Sequence, residues 1–157
     1  MSGAQKYFVK MNWLEGRTGL AHVDGKPILK VGPPPQFGGG KEDWSPEELL
    51  LAALASCLMA TFFTFAKNEA LEILGYDGVA YGILRKMPAG FGWEGLTNEV
   101  KLEIDPKDEE RAKLLLLKAK KNCIISNSMN TEVALNMVIN GVSEEQPLAA
   151  RVAVSAG

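Results

Sequence analysis

The uncharged stretch LLLAALASCLMATFFTFA, residues 49–66, limits the fold more than any other part of the chain. A helix of this length and composition can cross a bilayer, but it can equally be the central helix of a globular protein or an oligomer. The run contains Ser56, Thr61, Thr64 and several alanines, and the segments around it have the pattern of soluble strands. We therefore predict a buried helix and no association with a membrane.

The sequence SPEE at residues 45–48, directly before this stretch, is typical of a helix N-terminus. Ser45 is suited to be the N-cap, the proline takes the first helical position, and Glu48 completes a capping box with the serine. Gly75 is the next residue that favours a helix end. We predict a long helix that continues to Leu74.

Short strand-like runs lie on both sides of this helix, together with a second helix that is acidic at its start and rich in lysine at its end. Turn residues separate the first three runs and predict an antiparallel meander. Strand groups that flank two helices give an α+β domain. The predicted strands are residues 6–13, 19–23, 27–31, 78–86, 96–104 and 131–139, and the second helix covers residues 105–121.

A chain of 157 residues can bury a core large enough for one domain without disulfide or metal staples. We assign residues 1–141 to a single domain and residues 142–157 to a C-terminal tail, which is either an extra strand or disordered. The net charge of −2 comes from well-mixed charges without a dense basic tract, so we expect no nucleic acid partner. The N-terminus lacks the pattern of a secretory signal, which predicts a cytoplasmic, reducing environment.

Metal and nucleotide sites find little support in the sequence. His22 is the one histidine of the chain, so the sequence cannot form the His/Cys clusters of most zinc sites. Its position in a turn indicates a solvated residue. The GGGK stretch at residues 38–41 resembles part of a phosphate-binding loop, but Pro35 stands where that loop needs glycine and Glu42 where it needs Ser or Thr. We expect no metal and no cofactor.

The two cysteines, Cys57 and Cys123, are the candidate reactive residues. Cys57 shares a helix face with small residues at helical spacing, from Ala53 to Thr64. This face either packs closely on another helix, with the thiol as a small buried hydrophobe, or leaves a pocket above the sulfur. Cys123 follows a lysine-rich helix end with a route to solvent. Two such thiols are compatible with a nucleophile and its resolving partner, although a separation of 66 residues forms no motif.

Four stretches, taken in order, carry a family resemblance. They are Gly16-Arg17-Thr18-Gly19, the helix start Ser45-Pro46-Glu47-Glu48-Leu49 followed by Ala52-Ala53-Leu54-Ala55-Ser56-Cys57, the turn Pro88-Ala89-Gly90-Phe91-Gly92, and Cys123-Ile124-Ile125-Ser126-Asn127. Their order and spacing resemble those of the osmotically inducible protein C and organic hydroperoxide resistance (OsmC/Ohr) family. The resemblance covers the chain from Met11 to Ile139.

The resemblance implies a thiol peroxidase built as an intertwined homodimer, in which antiparallel sheets wrap around long central helices and no cofactor is used. Cys57 falls on the peroxidatic cysteine and Cys123 on the resolving cysteine. Arg17 falls on the arginine that contacts the reactive sulfur, and Glu47 on the carboxylate that holds this arginine. One position departs from the family pattern, because Ile124 stands where a proline usually follows the second cysteine.

The assigned roles can be tested against the chemistry of a thiol. Burial in an apolar helix raises the pKa of a cysteine, so we expect Cys57 to need a cation before it can react as a thiolate. The Arg17 guanidinium stays charged and can also hydrogen-bond a peroxide oxygen, while Glu47 fixes its direction. Glu47 and Cys57 are ten residues apart, about 15 Å along a straight helix. Either Arg17 spans part of this distance or the partner subunit contributes to the site.

We therefore predict a peroxidase that reduces organic hydroperoxides through a Cys57 sulfenic acid and a Cys57–Cys123 disulfide. A thiol reductant, either a small dithiol or a lipoylated or thioredoxin-like protein, reopens the disulfide. The alternatives are a dimer that binds a small apolar ligand and a stress-associated dimer without chemistry, both with silent cysteines. A cysteine hydrolase is disfavoured because His22 has no evident orienting partner.

Overall fold

The computed structural model describes residues 3–145, which form two compact units with a boundary between Leu50 and Leu51. The secondary structure is α+β, with strands in both units and helices alongside them. This confirms the predicted fold class. The assignment of residues 1–141 to one domain stays a prediction.

The N-terminal unit contains a three-stranded antiparallel sheet in the order β1-β2-β3, which confirms the predicted meander. Its strands are β1 (Lys10–Glu15), β2 (Thr18–His22) and β3 (Leu29–Val31). Gly16 takes a positive φ of 50° in the turn between β1 and β2. Every residue of β1 is exposed, including Met11 and Trp13, so this edge strand presents apolar side chains to the surface.

The Pro/Gly-rich loop after β3 folds tightly around a short 3₁₀ helix, Pro35–Phe37. A Cβ atom added at Gly39 would lie 1.5 Å from the carbonyl oxygen of Pro33, so only glycine fits there. The loop closes where the Gly32 amide donates to the Trp44 carbonyl at 3.0 Å. This closure leads the chain into the first helix.

Helix α1 (Pro46–Asn68) starts at the capping box predicted from the sequence. The Glu48 amide donates to Ser45 Oγ at 3.2 Å, and the Ser45 amide donates to Glu48 Oε2 at 2.8 Å. Two backbone donors that have no partner within the helix are thereby satisfied.

The predicted end of this helix at Leu74 is wrong, because α1 ends at Asn68. Ala70 takes a left-handed φ of 50°, the Leu71 amide donates to the Ala66 carbonyl at 2.8 Å, and the Ala70 amide donates to the Lys67 carbonyl at 3.1 Å. These two bonds form a Schellman motif in which alanine occupies the position usually held by glycine. Leu71 and Ala66 are both buried, and their burial accompanies this tight end.

The C-terminal unit contains a four-stranded sheet in the order β4-β5-β6-β7 and two further helices. The pairings are antiparallel except for β5 and β6, which run parallel because the chain crosses over through both helices between them. The elements are β4 (Gly75–Met87), β5 (Gly90–Glu103), α2 (Glu109–Lys121), α3 (Ile124–Asn127), β6 (Val133–Ile139) and β7 (Val142–Glu145). The parallel pairing corrects the expectation of purely antiparallel sheets.

Strand β7 resolves part of the question about the C-terminal tail. Residues 142–145 pair antiparallel with β6 of the same chain, so this part of the tail is an extra strand rather than disordered chain. Residues 146–157, like residues 1–2, lie outside the described part of the chain.

The core of the C-terminal unit lies between α1, α2 and the inner face of the sheet. Leu54, Leu58, Phe62 and Ala66 recur every four residues and form the fully buried stripe of α1. The last three of these pack with side chains of β5, β6 and α2 in one cluster, which includes Val100, Leu102, Leu115, Leu116, Leu135 and Met137. The rotation of α1 about its axis is thereby fixed.

Among the helices of residues 3–145, α1 alone is long and apolar enough to cross a membrane. The mean hydropathy of its most apolar window is 2.1, and 22% of that window is buried. A core helix passes the same criterion, and the continuous buried stripe of α1 is what such a helix presents to its neighbours.

We expect Ala70→Gly to stabilise the protein, because glycine adopts the left-handed conformation without the steric cost that alanine carries. The expected gain is about 0.5 to 1 kcal/mol in the free energy of unfolding, once the greater freedom of glycine in the unfolded chain is included. Urea unfolding at fixed protein concentration measures this gain as a raised midpoint with an unchanged slope.

Ala60→Gly is the matched control, because Ala60 is exposed inside α1 and has ordinary helical geometry. There glycine should destabilise the protein by about 1 kcal/mol. If Ala70→Gly lowered the midpoint as Ala60→Gly does, the strain assigned to Ala70 would be disproved.

Candidate active site

Helix α1 places Cys57 at the margin of its buried stripe. Cys57 directly precedes Leu58, which is 1% exposed, and its own side chain is partly exposed. The sulfur therefore lies between core and surface. The sequence left open whether this thiol is a small buried hydrophobe, and the partial exposure favours an accessible thiol.

Cys123 lies in the turn between α2 and α3 and is 1% exposed. Its amide donates to the Lys120 carbonyl at 3.2 Å, which ties it to the last turn of α2. Its carbonyl accepts hydrogen bonds from the Asn127 amide at 3.0 Å and from Ser126 Oγ at 3.1 Å. These bonds hold Cys123 as the N-cap of α3, with extended backbone at φ −71° and ψ 109°.

The structure brings the two cysteines together. The Cys57 sulfur accepts hydrogen bonds from the Ile125 amide, the Cys123 thiol and the Ile124 amide. The Thr61 hydroxyl also lies beside this sulfur and donates to the Cys57 carbonyl at 2.8 Å. The two amides belong to the first turn of α3, where amide groups have no partner within the helix. Ile125 also packs against the small buried cluster around Leu54, one turn before Cys57, which fixes α3 beside this part of α1.

The two thiols have pKa values shifted in opposite directions. Burial alone would raise the pKa of Cys57, but the hydrogen bonds from Ile125, Cys123 and Ile124, together with the nearby Thr61 hydroxyl, outweigh it and bring the pKa below its ordinary value. Burial raises the pKa of the Cys123 thiol. Cys57 is therefore the more acidic thiol of the pair, and Cys123 is the thiol that donates to it.

The groups that lower the pKa of Cys57 in the described structure are two amides, a thiol and a hydroxyl. The sequence-based expectation that a cation is needed for a reactive Cys57 stays a prediction. Backbone amides carry no side-chain signature, so Ile124 and Ile125 could not be recognised as donors from the sequence. Thr61 was recognisable only by its position four residues after Cys57 on the same helix face.

Arg17 and Glu47 belong to the N-terminal unit and line one cavity of about 660 Å³. Arg17 Nη2 donates to the Phe37 carbonyl at 2.5 Å. Glu47 Oε2 is buried and has no hydrogen-bond partner among the described residues. The predicted contact of Arg17 with the Cys57 sulfur, and the predicted hold of Glu47 on Arg17, stay predictions.

Apolar side chains form most of the remaining wall of this cavity. They include Met11 and Trp13 of β1, Val31 of β3 and Phe37 of the loop. The Trp13 indole donates to the Gly16 carbonyl at 3.1 Å, which fixes the ring over the turn that carries Arg17. The cavity thus combines one guanidinium and one carboxylate with an apolar surface.

His22 and the acidic residues form no metal centre in the described part of the chain. No group of three or more His, Cys, Asp or Glu side chains in residues 3–145 is arranged to hold a metal ion. His22 Nε2 lies 2.9 Å from Asn12 Oδ1 across the β1–β2 pair.

The α+β fold thus places Cys57, whose pKa is lowered, beside the buried thiol of Cys123. The site belongs to the class of two-cysteine thiol sites. The sequence pattern of the OsmC-like protein family matches residues 38–138 of the chain. The protein therefore belongs to the OsmC-like family, as the four sequence stretches predicted.

Individual proteins of known sequence or structure are similar to this chain. The uncharacterized protein MJ0573 of Methanocaldococcus jannaschii is 31% identical over 137 residues, which cover 83% of this chain and 67% of the relative. The OsmC-like protein of unknown function VCA0330 from Vibrio cholerae superposes with a TM-score of 0.76 at 21% identity, covering 86% of this chain and all of that one. The organic hydroperoxide resistance protein OhrB of Bacillus subtilis gives a TM-score of 0.63 at 26% identity, covering 83% and 98%.

We expect Ile124→Pro to raise the pKa of Cys57, because proline removes one of the two amide donors. The backbone should tolerate the change, since Ile124 is the first residue of α3 and the extended conformation of Cys123 suits a following proline. Thiolate absorbance or the rate of alkylation against pH measures the shift. In the wild-type protein the midpoint for Cys57 should lie below that of an ordinary thiol.

Ile124→Val is the matched control, because it keeps the amide and changes only a side chain that is 73% exposed. It should leave the Cys57 midpoint unchanged. Equal Cys57 midpoints in the proline and valine variants would show that the Ile124 amide does not lower the pKa of Cys57.

A lowered folded-state pKa also means that the hydrogen bonds to Cys57 add stability at alkaline pH, a contribution lost as the pH falls through that pKa.

Proposed function

We propose that the protein is a cysteine-based thiol peroxidase that reduces organic hydroperoxides. The observation that carries this proposal is the contact between Cys57, whose pKa is lowered, and Cys123, whose pKa is raised. A peroxidatic thiol must be a thiolate at working pH, and a resolving thiol must be close enough to close a disulfide.

The reaction proceeds in two balanced steps. The Cys57 thiolate attacks one oxygen of the hydroperoxide, the O–O bond breaks, and the leaving alkoxide takes a proton to become an alcohol. Cys57 is then a sulfenic acid. The Cys123 sulfur attacks the sulfenic sulfur, a disulfide forms, and the sulfenic oxygen leaves as water.

Groups around Cys57 support both steps. The amides of Ile124 and Ile125 stabilise the thiolate and are fixed by the backbone, so they need no rearrangement when the charge forms. The Cys123 thiol already hydrogen-bonds the Cys57 sulfur, so closing the disulfide requires little movement. Rapid closure protects the sulfenic acid from further oxidation.

The family resemblance assigns Arg17 and Glu47 to the same site as Cys57. The Arg17 guanidinium would hydrogen-bond the peroxide oxygen and the developing charge, and Glu47 would aim it. The unpartnered Glu47 Oε2 is an acceptor available for such a guanidinium. Apolar Met11, Trp13 and Phe37 share the cavity with Arg17, so a ligand that engages the guanidinium there is expected to be organic rather than hydrogen peroxide.

The proposed peroxidase is a homodimer in the cytoplasm and has no membrane or nucleic acid partner. Large apolar side chains remain exposed on one face of β4 and on α1, which a second copy would cover. They include Val79, Tyr81 and Ile83 at alternating positions of β4, and Met59 and Phe63 of α1. The disulfide would be reopened by a thiol reductant, either a small dithiol or a lipoylated or thioredoxin-like protein.

One observation favours a second candidate, a dimer that binds a small apolar ligand while its cysteines stay silent. The cavity of about 660 Å³ in the N-terminal unit is large enough for such a ligand. Thiol reactivity separates the two functions, because silent cysteines ignore peroxide while the protein is folded.

The first test treats the fully reduced protein with one equivalent of an organic hydroperoxide and, in parallel, of hydrogen peroxide. We expect rapid loss of both thiols and of two hydrogens of mass, faster with the organic peroxide. Cys57→Ser should not react. Cys123→Ser should gain one oxygen atom at Cys57, because the sulfenic acid cannot be resolved. Intact mass and free-thiol counts record each outcome, and two surviving thiols in the folded wild type would rule out the peroxidase.

The homodimer has a separate test. Sedimentation equilibrium should give twice the chain mass of 17.0 kDa. Ile83→Lys should weaken the dimer, because it would bury an unpaired charge in the apolar β4 face. Lys86→Gln, an exposed change on the same strand, is the control and should leave the mass unchanged. A wild-type mass equal to one chain would contradict the dimer.

A further inference from the structure

Met11 contributes a sulfur-containing side chain to the cavity that Arg17 and Glu47 line in the N-terminal unit. The Met11 side chain is 60% exposed, so its thioether is reached from solvent as well as from the cavity. A thioether is oxidised by peroxides without first losing a proton. The peroxide reaction described above gives this sulfur no role.

The pairing of β1 with β2 fixes where the sulfur lies. Met11 and Trp13 occupy alternating positions of β1 and therefore share one face of the sheet, with Trp13 opposite Gly19 of β2. A Cβ atom added at Gly19 would lie 3.2 Å from Met11 Sδ. The absence of a side chain at Gly19, which also lines the cavity, thus leaves room for the sulfur.

Arg17 supplies the hydrogen-bond donor of the same cavity. Its Nη2 donates to the Phe37 carbonyl, and a guanidinium has five N–H donors, so this bond does not use up its capacity. A hydroperoxide that accepts a hydrogen bond from Arg17 inside the cavity shares that enclosed space with Met11. The organic part of the molecule would rest on Trp13 and Phe37.

We propose that Met11 is a regulatory oxidation site. An organic hydroperoxide held in the cavity transfers one oxygen atom to Met11 Sδ, and the resulting sulfoxide weakens the binding of further organic hydroperoxide. The inference rests on the proposed function, because it takes an organic hydroperoxide as the ligand of the cavity and adds a control on its binding.

The transfer is balanced without any other reactant. A lone pair of the Met11 sulfur attacks the terminal oxygen of the hydroperoxide, and an S–O bond forms while the O–O bond breaks. The proton of the hydroperoxide passes to the leaving alkoxide, which becomes an alcohol. The sulfur loses two electrons and the hydroperoxide gains them. The Arg17 guanidinium stabilises the negative charge that develops on the alkoxide oxygen.

The sulfoxide changes the wall of the cavity from apolar to polar. Methionine is a flexible apolar side chain, whereas its sulfoxide carries a strong hydrogen-bond acceptor that an apolar ligand leaves unpaired. A thiolate is a better nucleophile than a thioether, so Met11 is oxidised when peroxide exceeds reductant and Cys57 is already consumed. The sulfoxide therefore registers a surplus of peroxide, and a methionine sulfoxide reductase can remove it.

The first part of the test measures where oxygen is transferred, in the Cys57→Ser protein with excess peroxide. Cumene hydroperoxide and hydrogen peroxide are compared, and peptide mapping gives the initial rate of sulfoxide formation at each methionine. Met87 is the internal control, because it is 37% exposed and is not one of the residues that line the cavity. The ratio of the organic rate to the hydrogen peroxide rate should be about 3- to 10-fold higher at Met11 than at Met87.

Two changes should abolish this selectivity. The alcohol 2-phenyl-2-propanol, which resembles cumene hydroperoxide but cannot oxidise, should slow oxidation at Met11 and not at Met87. Arg17→Gln should lower the Met11 ratio, whereas Arg85→Gln, on β4 outside the cavity, should keep it. Equal ratios at Met11 and Met87, no competition by the alcohol, or an equal effect of the two arginine variants would each overturn the proposal.

The second part measures the effect of the sulfoxide on binding. The Trp13 ring lines the cavity, so tryptophan fluorescence reports a titration with 2-phenyl-2-propanol. Treatment of the Cys57→Ser protein with cumene hydroperoxide, followed by removal of the peroxide, should weaken this binding by about 3- to 10-fold. With Met11→Leu added, the affinity should be the same before and after treatment, while Met87→Leu should not prevent the loss. An unchanged affinity in the treated parent, a loss that survives Met11→Leu, or no binding to the untreated protein would contradict the proposal.

The two proposals fail in different ways, because Met11 is followed in a protein that lacks Cys57. If peroxide leaves both wild-type thiols intact but Met11 is oxidised selectively and its sulfoxide weakens binding, the peroxidase is wrong and the Met11 site stands. If peroxide closes the disulfide but Met11 and Met87 respond alike, the peroxidase stands and the Met11 site is wrong.

Discussion

The packing of α1 against β5, β6 and α2 is the interaction on which the thiol site depends. Phe62 and Leu116 are fully buried in this contact, which fixes both helices at the depth and rotation that their apolar stripes dictate. Cys57 is then held at the margin of the α1 stripe, and Cys123 at the end of α2. The meeting of two thiols 66 residues apart is therefore a consequence of core packing rather than of local sequence.

The site shows how one type of side chain acquires two chemical roles from its surroundings. Cys57 is partly exposed and its sulfur receives hydrogen bonds from two amides and the Cys123 thiol, while Cys123 is buried and donates to it. Under the proposed function this asymmetry would serve two opposite steps, because the more acidic thiol is both the readier nucleophile toward peroxide and the better leaving group when the disulfide is reopened. A pair with equal pKa values would have no preferred direction in either step.

The elements that could be predicted from the sequence are those marked by neighbouring residues. Ser45 and Glu48 predicted the start of α1, and the lysine-rich segment predicted the end of α2. Turn residues predicted the boundaries between the three strands of the meander. The end of α1 was missed because its left-handed residue is Ala70, and no rule based on glycine or proline points to an alanine. The parallel pairing of β5 and β6 was missed because pairing direction depends on the path of the crossover, not on the strands themselves.

The family, the α+β class, both cysteines and the capped start of the helix that carries Cys57 could be read from the sequence, because each depends on residue types at short spacings. The arrangement of the Ile124 and Ile125 amides, the Thr61 hydroxyl and Cys123 around one sulfur follows from the fold alone. A backbone amide is the same in every non-proline residue. Its chemical effect depends on what the fold brings within hydrogen-bond distance, and that distance is set by the buried contacts between α1, α2 and the sheet.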